Sequence, residues 1–344
     1  MNNVERRLFA QMKSELEDGR ELVLCSIVSS SGSTPRGSGA KMVLFADGSF
    51  AGTVGGGAVE HQCQLLARQS LQSKSAISHG FQLDKNQKAD IGMICGGDVE
   101  VCFQYFAGGD DRMIRLLNAV DSSYSRHVDS WLVTRIIDKV AVSTDVLEKD
   151  SGMLFGDIIK QEDAVKLAGN QPVLSGSDDG LFVEPLSMAG RVYVFGGGHV
   201  AQQLVPVISR IGFPTVVFED RPAFANPSLF PDAEDVVLGS FAEIAKSIAI
   251  KAEDYAVVMT RGHMADFELL FQLATMKTRY LGVIGSHHKV ALTNRRLIDA
   301  RVEQERIDHI HSPIGLDIGA QTPAEIAISI AAELISVRAG RDVR

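Results

Sequence analysis

Three small residues between positions 191 and 220 have the types and spacing of a phosphate-binding turn. The segment reads RVYVFGGGHVAQQLVPVISRIGFPTVVFED and matches G-x-G-x-x-A at Gly196, Gly198 and Ala201. The first glycine permits a sharp turn, the second lets the backbone approach a phosphate, and the alanine allows a helix to pack closely on a sheet. Unpaired N–H groups at the start of that helix then favour an anion.

The elements that must position these residues are a strand, a helix and a second strand. Residues 191–195 are apolar enough for a buried parallel strand, and apolar positions recur at helical spacing from 200 to 211. A second apolar strand, 215–218, ends in Glu219 and Asp220. Because Glu219 follows the turn by roughly 20 residues, it is predicted to meet ribose hydroxyls. The segment therefore predicts a Rossmann unit with an anionic ligand.

Two further apolar strands are predicted at 256–259 and 280–284, and polar residues follow each of them. These residues are Arg261 and His263 after the first strand, and Gly285 and Ser286 after the second. The carboxyl ends of parallel strands face one crevice, so both groups should meet the glycine turn. Instead of binding a ligand, Arg261 could form an ion pair with Asp266, and His263 could make a hydrogen bond at the N-terminus of the following helix.

A second strand-glycine-helix junction is predicted in the N-terminal half. Strands at 21–29, 42–45 and 50–54 lead to Gly55, Gly56 and Gly57, and a helix over 58–71 follows at once. Its N–H groups offer a second anion site. Glu60, in the first turn, would repel an anion unless it bonds a donor group of the ligand.

The four cysteines have neither zinc-site nor disulfide spacing, and most are predicted to be small core residues. They are Cys25, Cys63, Cys95 and Cys102. Cys95 precedes Gly96-Gly97, which exposes backbone beside the thiol. A sulfur or metal ligand and a buried loop cysteine are both open interpretations there.

Composition limits the class of protein. The 344 residues, 45% of them hydrophobic, suffice for two domains. With 34 basic against 43 acidic residues and a net charge of −9, a nucleic-acid surface is disfavoured. No signal-peptide or membrane-length apolar run is visible, so a cytoplasmic protein is expected. No repeat of solenoid period is visible either.

We predict an α/β protein with two domains, an N-terminal α+β domain over 1–187 and a C-terminal Rossmann-like parallel-sheet domain over 188–344. The boundary is placed at 187–191, between an acidic glycine cluster and the Rossmann strand. The last helix should begin with a capping box at Thr322 and Glu325, with Pro323 at its first position.

Eight motifs in one order resemble the XdhC/CoxI family of accessory proteins for xanthine and carbon monoxide dehydrogenases. They are SSSGSTPRGSGAKM, TVGGGAVE, GMICGG, FVEPL leading to VYVFGGGHVA, EDRPAFAN, TRGHMAD, LGVIGS and HSPIGLDIGAQTPAEIAISIAAELI. Together they extend over nearly the whole chain. Eight motifs in the same order identify a family far more specifically than a glycine fingerprint alone.

The resemblance implies a maturation chaperone rather than a turnover enzyme. Such a protein binds molybdenum cofactor, a molybdopterin in mono- or dinucleotide form, while a cysteine desulfurase replaces an oxo ligand by sulfide. It then passes the cofactor to a molybdenum hydroxylase apo-enzyme, and it is usually a homodimer. Some members carry cysteine where this chain has Ala58, which leaves Cys95 as the loop cysteine in a family motif.

We hypothesise that phosphate or nucleotide lies at 196–201 and that the molybdenum end faces 55–60 and Cys95. Candidate catalytic residues are Cys95, as the sulfur or molybdenum site, and Glu60. Candidate cofactor-binding residues are Gly55, Gly56, Gly57, Gly196, Gly197, Gly198, His199, Ala201, Glu219, Asp220, Arg221, Arg261, His263, Gly285 and Ser286. The alternatives are an NAD(P)-dependent oxidoreductase, with Arg261 or His263 polarising a carbonyl, and a dinucleotide-sensing module without chemistry.

Overall fold

The computed structural model describes residues 3–32, 34, 36–83, 97–126, 128–156, 159–187, 190–285 and 287–341, without the side chains of 3, 4, 263, 287 and 288. The chain divides into two compact units, Asn3–Met188 and Ala189–Arg344. Among the described residues, none of the helices has the length and apolarity that crossing a bilayer requires.

The first unit contains the same succession of seven elements twice. The first succession is α1 Asn3–Glu17, β1 Leu22–Gly32, β2 Lys41–Phe45, β3 Phe50–Gly52, α2 Gly57–Ser73, β4 Ile77–Leu83 and β5 Gly97–Phe106. The second is α3 Asp111–Arg126, β6 Ser130–Ile137, β7 Val140–Glu148, β8 Gly152–Phe155, α4 Gln161–Leu167, β9 Val173–Ser175 and β10 Gly180–Ser187.

Each succession forms one five-stranded sheet, and the two sheets have equivalent strand orders. The first order is β3-β2-β1-β5-β4 and the second is β8-β7-β6-β10-β9. Neighbouring strands are antiparallel in both sheets. The first unit is therefore a structural duplication of one αβββαββ module.

The modules share a core, because both leading helices are amphipathic and bury their apolar faces together. Met12 and Leu16 of α1 pack in one cluster with Leu116 and Val120 of α3, all buried. The N-terminal helix is thus amphipathic, with one buried apolar face. The apolar stripe has helical spacing, so its burial requires a facing helix or sheet.

The second unit is a six-stranded parallel sheet with helices on its faces. Its elements are β11 Val192–Phe195, α5 His199–Arg210, β12 Thr215–Glu219, β13 Asp235–Leu238, β14 Tyr255–Val258, α6 His263–Leu273, β15 Tyr280–Val283, α7 His287–Asp299, α8 Gln304–Asp308, β16 Ile310–His311 and α9 Pro323–Arg338. The order β13-β12-β11-β14-β15-β16, parallel throughout, confirms the Rossmann-like prediction.

The central strands of this sheet are apolar on both sides because helices cover both faces. Val194 faces a cluster that includes Leu204 of α5 and Leu334 of α9. Phe195 faces the opposite cluster, with Leu269 of α6. The sheet is held rigidly, and its carboxyl edge positions the site.

Candidate functional site

The glycine turn between β11 and α5 has one position that only glycine can fill and one that is open. Gly196 has φ +113°, and a Cβ there would lie 2.5 Å from the carbonyl oxygen of Met259. Gly198 has φ −74°, and a Cβ there would meet nothing within 4 Å. The first position therefore shapes the turn, while the second leaves space at the start of α5, where N–H groups favour an anion.

Glu219 faces this turn from the end of β12. Its carboxylate, 1% exposed, accepts the N–H of Gly197 at 2.7 Å. It also accepts the Nε of Arg221 at 2.8 Å and its Nη2 at 3.0 Å. Burial opposes ionisation, but the hydrogen bonds from Arg221 and Gly197 outweigh it and lower the pKa of Glu219 to about 2. Both oxygens of Glu219 accept hydrogen bonds from the chain itself, and its contact with a ribose stays a prediction.

Asp220 differs from Glu219 because one of its carboxylate oxygens accepts no hydrogen bond from the described residues. Its Oδ1 is buried and has no hydrogen-bond partner among the described residues, although the Nε of Arg221 lies 3.8 Å away. Its Oδ2 lies 3.7 Å from the Nη2 of Arg261. Burial, together with the neighbouring carboxylate of Glu219, raises the pKa of Asp220. Asp220, which we predicted as a cofactor-binding residue together with Glu219, therefore has fewer hydrogen bonds to the described chain than its neighbour.

Arg261 and Arg221 bring positive charge to the same edge. Arg221 stacks on the ring of Phe224 with its guanidinium 3.8 Å from the ring centroid. Arg261 follows β14 and has a side chain that is 62% exposed. It pairs with Asp220, whereas Asp266 accepts a hydrogen bond from Thr260, so the alternative of an Arg261–Asp266 pair is wrong.

The remaining predicted residues of this unit are only partly described. His199 and Ala201 lie in the first turn of α5, and Ala201 is fully buried against the sheet. His263 begins α6, but its side chain is outside the described part. Gly285 follows β15, and Ser286 lies outside the described residues.

The N-terminal glycine turn has a comparable carboxylate. Gly55, Gly56 and Gly57 have φ of +127°, +77° and +63°, a conformation that disfavours any side chain. The Oε2 of Glu60 accepts the N–H of Gly56 at 3.0 Å and that of Val54 at 3.1 Å. Burial opposes ionisation of Glu60, yet hydrogen bonds from Thr53 and these N–H groups lower its pKa. Glu60 thus neutralises donors of its own turn.

Three cysteines are buried thiols without disulfide partners, as predicted for core residues. They are Cys25, Cys63 and Cys102. Burial raises the pKa of both Cys63 and Cys102 to about 12, which keeps them protonated and unreactive. Cys95 lies outside the described residues. Across the described ranges, no group of three or more His, Cys, Asp or Glu residues could hold a metal ion.

Two large cavities lie at opposite edges of the parallel sheet. One, of about 890 Å³, is lined by residues that precede strands, such as Ala252 and Arg279. The other, of about 770 Å³, is lined by Ile284 and Gly285 after β15 and by 312–320 after β16. Ligands of parallel sheets bind at the carboxyl edge, so the second cavity belongs to the candidate site.

Sequence analysis missed two side chains on this cavity, His311 and Glu333, which hydrogen bond to each other. A signal was present: Glu333 stands between the apolar residues Ile330 and Leu334 in the last helix. A glutamate inside an apolar stripe indicates a buried carboxylate that needs donors.

Two family models match the chain in separate regions. The XdhC Rossmann domain matches residues 192–334, and the XdhC and CoxI family matches residues 15–80. A solved structure described as a xanthine dehydrogenase from Bacillus halodurans has a TM-score of 0.80 and 25% identity, covering 100% of this chain and 97% of its own.

Relatives align along almost the whole chain. Escherichia coli YqeB, an uncharacterized protein, is 26% identical over 96% of this chain, which spans 46% of its length. A probable xanthine dehydrogenase subunit of Bacillus subtilis is 26% identical over 94% of this chain and 95% of its own. The molybdenum cofactor insertion chaperone PaoD of Escherichia coli is 21% identical, and the alignment covers 94% of this chain and 85% of PaoD. With two family models that together match more than half of its residues, the chain belongs to the XdhC and CoxI family.

Proposed function

We propose that this chain is a maturation factor that binds a molybdenum cofactor and delivers it to a xanthine dehydrogenase-type apo-hydroxylase. The observation that carries the proposal is the open phosphate position at Gly198, in a chain that aligns over 94% of its length with PaoD, a molybdenum cofactor insertion chaperone. The cofactor is cargo in this proposal, so affinity and release matter more than turnover.

The chemistry of the turn suits such a cargo. A pterin phosphate or pterin dinucleotide is anionic, and the N–H groups of α5 beside Gly198 favour an anion. Arg221 and Arg261 add positive charge at the same edge. The partly exposed carboxylate of Asp220 would accept a hydroxyl of a nucleotide ribose. The donors are chiefly backbone amides, which hold a phosphate without a lysine.

The finer steps are proposed from the family resemblance. Sulfide supplied by a cysteine desulfurase would replace an oxo ligand of the molybdenum, whose oxygen would leave as water, while this chain holds the cofactor. Cys95 is the candidate sulfur residue, and Glu60 acts by holding the turn at Gly56. We further propose a homodimer in the cytoplasm. The Cys95→Ser variant tests the sulfur role, because unchanged cofactor retention and sulfide transfer would remove Cys95 from the mechanism.

The second candidate function is an NAD(P)-dependent oxidoreductase. The strand order and the glycine turn favour it equally, since they recognise a phosphate and not a nicotinamide. A direct comparison of ligands separates the two. Pterin released by denaturing protein purified from cofactor-producing cells is measured by fluorescence, and NADH is titrated into the apo protein. Tight NADH binding with turnover of a small carbonyl, and no pterin, would overturn the chaperone proposal.

The Gly198→Ala variant tests the position of the phosphate. A methyl group has room in the empty turn, so the free energy of unfolding should change by less than about 1 kcal/mol. It would obstruct a phosphate, so we expect about tenfold weaker retention of the cofactor. Gly169→Ala in the first unit is the matched control, because a Cβ there would meet only the carbonyl oxygen of Leu167, at an ordinary contact distance of 3.9 Å. Equal retention by both variants would show that no phosphate approaches Gly198.

A further inference from the structure

The cavity of about 770 Å³ lies beyond the glycine turn on the same edge of the parallel sheet. Its walls include Ile284 after β15 and Ile314 after β16, together with Asn294 of α7. β15 is separated from β11 by β14, so the cavity begins roughly 10 Å from the turn. The volume is within the range of small-molecule sites, roughly 300–1,000 Å³.

A histidine of β16, His311, lines this cavity and also contributes to the wall of the cavity of about 890 Å³. The Nδ1 of His311 lies 2.8 Å from the Oε1 of Glu333, and the Oε2 of the same carboxylate accepts the N–H of Gly315 and the hydroxyl of Tyr280. Burial opposes ionisation of Glu333, but these hydrogen bonds outweigh it and lower its pKa. Because Glu333 is a carboxylate, Nδ1 must donate to it. No described residue hydrogen bonds to the Nε2 of the same ring, so this nitrogen is available to a ligand.

The other polar side chains of the cavity wall include carboxylates and an amide, and they carry no fixed positive charge. Asp317 is exposed there, and the half-buried amide of Asn294 has no hydrogen-bond partner among the described residues. Neither lysine nor arginine stands among the described residues that line the cavity. Near the glycine turn, by contrast, the carboxyl edge of the sheet carries the positively charged side chains of Arg221 and Arg261. The wall is unsuited to a phosphate and suited to a flat ring with N–H donors.

We propose that this cavity binds a nitrogen heterocycle that presents ring N–H and amino donors, with His311 and Asn294 reading its edge. Resting on the proposed function, we assign this ring to the pterin of the molybdenum cofactor, whose anionic end lies at Gly198. The ligand then extends along the carboxyl edge from β11 to β16. Its charged end meets backbone donors and arginines, and its ring meets acceptors between apolar walls.

The test uses 6-hydroxymethylpterin, a fluorescent pterin without phosphate, titrated into the full chain. His311→Asn keeps a donor in place of Nδ1 but removes Nε2, and Asn294→Ala removes an amide that has no partner among the described residues. We expect each variant to bind this pterin about five- to tenfold more weakly, which is the usual loss for one hydrogen bond in a closed site. His309→Asn, two residues away and outside this cavity, is the matched control and should bind normally.

The outcomes separate this inference from the proposed function. Unchanged pterin affinity in both cavity variants, with folding verified by circular dichroism, would overturn the assignment of the cavity. A chain that retains molybdenum cofactor but does not bind 6-hydroxymethylpterin overturns the inference and leaves the proposed function standing. A chain that retains neither overturns both. Guanosine has the same donor edge, so competition by guanosine at equal affinity would overturn the assignment to pterin.

Discussion

Glu219 connects the turn, the arginine and the neighbouring acid of the site. It accepts the N–H of Gly197 from one side and the guanidinium of Arg221 from the other. A carboxylate that is 1% exposed would be costly without those donors. Its role is therefore to hold the turn and Arg221 in position, while Asp220 keeps an oxygen without a partner among the described residues.

The Glu219→Gln variant should be less stable than the natural chain by about 2 kcal/mol at pH 7, because hydrogen bonds to a charged acceptor are lost. The folded-state pKa of Glu219 is lowered to about 2 from an ordinary value near 4.5. Its stabilisation is therefore complete above pH 4.5 and disappears as the pH falls towards 2. Urea unfolding followed by circular dichroism across this pH range measures the difference between the two proteins.

The matched control for this prediction is Glu243→Gln. Glu243 pairs with Lys246 on the surface, where an ion pair contributes less than about 1 kcal/mol. A Glu219→Gln variant as stable as this control at pH 7 would contradict the anchoring role of the carboxylate.

At the scale of elements, a buried ion pair joins the two modules of the first unit. Lys41 of β2 donates to Glu184 of β10, and both side chains are almost fully buried. Burial raises the pKa of Glu184 despite the charge of Lys41. Each strand belongs to a different module, so the pair specifies how the two sheets meet.

Replacing Lys41 by Met should destabilise the first unit by about 3 kcal/mol, because an uncompensated carboxylate stays buried. The double variant Lys41→Met, Glu184→Leu should recover to within about 1 kcal/mol of the natural chain. Trp131, the single tryptophan, lies buried in β6 of this unit, so its fluorescence in urea reports the transition. A double variant as unstable as the single one would show that the pair itself stabilises the fold.

The N-terminus of α9 is stabilised by a capping box. The side chain of Thr322 accepts the N–H of Glu325, and the carboxylate of Glu325 accepts the N–H of Thr322, which confirms the predicted capping box. Thr322→Ala should lower the free energy of unfolding by about 1 kcal/mol, whereas Thr322→Ser should not. Thermal melting by circular dichroism checks this, and equal melting temperatures would argue against the cap.

At the scale of the whole molecule, each unit has its own sheets and its own core. The six strands of the second unit pair only with one another in their sheet, and two clusters cover its faces. A fragment of residues 189–344 should therefore fold alone and unfold in one cooperative thermal transition. Circular dichroism of the fragment measures this, and a broad transition without cooperativity would contradict the independence of the unit.

Much of the candidate site was predictable because its chemistry is local in sequence. The strand-turn-helix pattern placed Gly196 and Gly198, and the acidic pair placed Asp220 at the end of the next strand. Parallel strands bury both faces, so they are visible as apolar runs. Their common polarity then predicted that Arg261 would approach the same edge, where it lies 3.7 Å from Asp220. Binding of a ligand by these residues stays a prediction.

Other features were not visible because they depend on pairing between distant segments. β9 and β16 have three and two residues, too few for a pattern, and exist because a longer strand offers its edge. The duplication of the first unit leaves no periodic signal in the sequence, since one module opens its inner helix with Gly57 and the other with Gln161. The two modules therefore share their strand order, although the residues at equivalent positions differ.

The sequence by itself therefore determined the family, the fold class of each unit and the glycine turn, since propensity, turn chemistry and apolar period are properties of neighbouring residues. Only the tertiary structure decided which carboxylate oxygens accept hydrogen bonds from the chain. Glu219 bonds a turn 22 residues away and Glu333 bonds a histidine 22 residues away. Whether a buried acid serves the chain or a ligand depends on which donors the fold brings to it, and no local pattern records that.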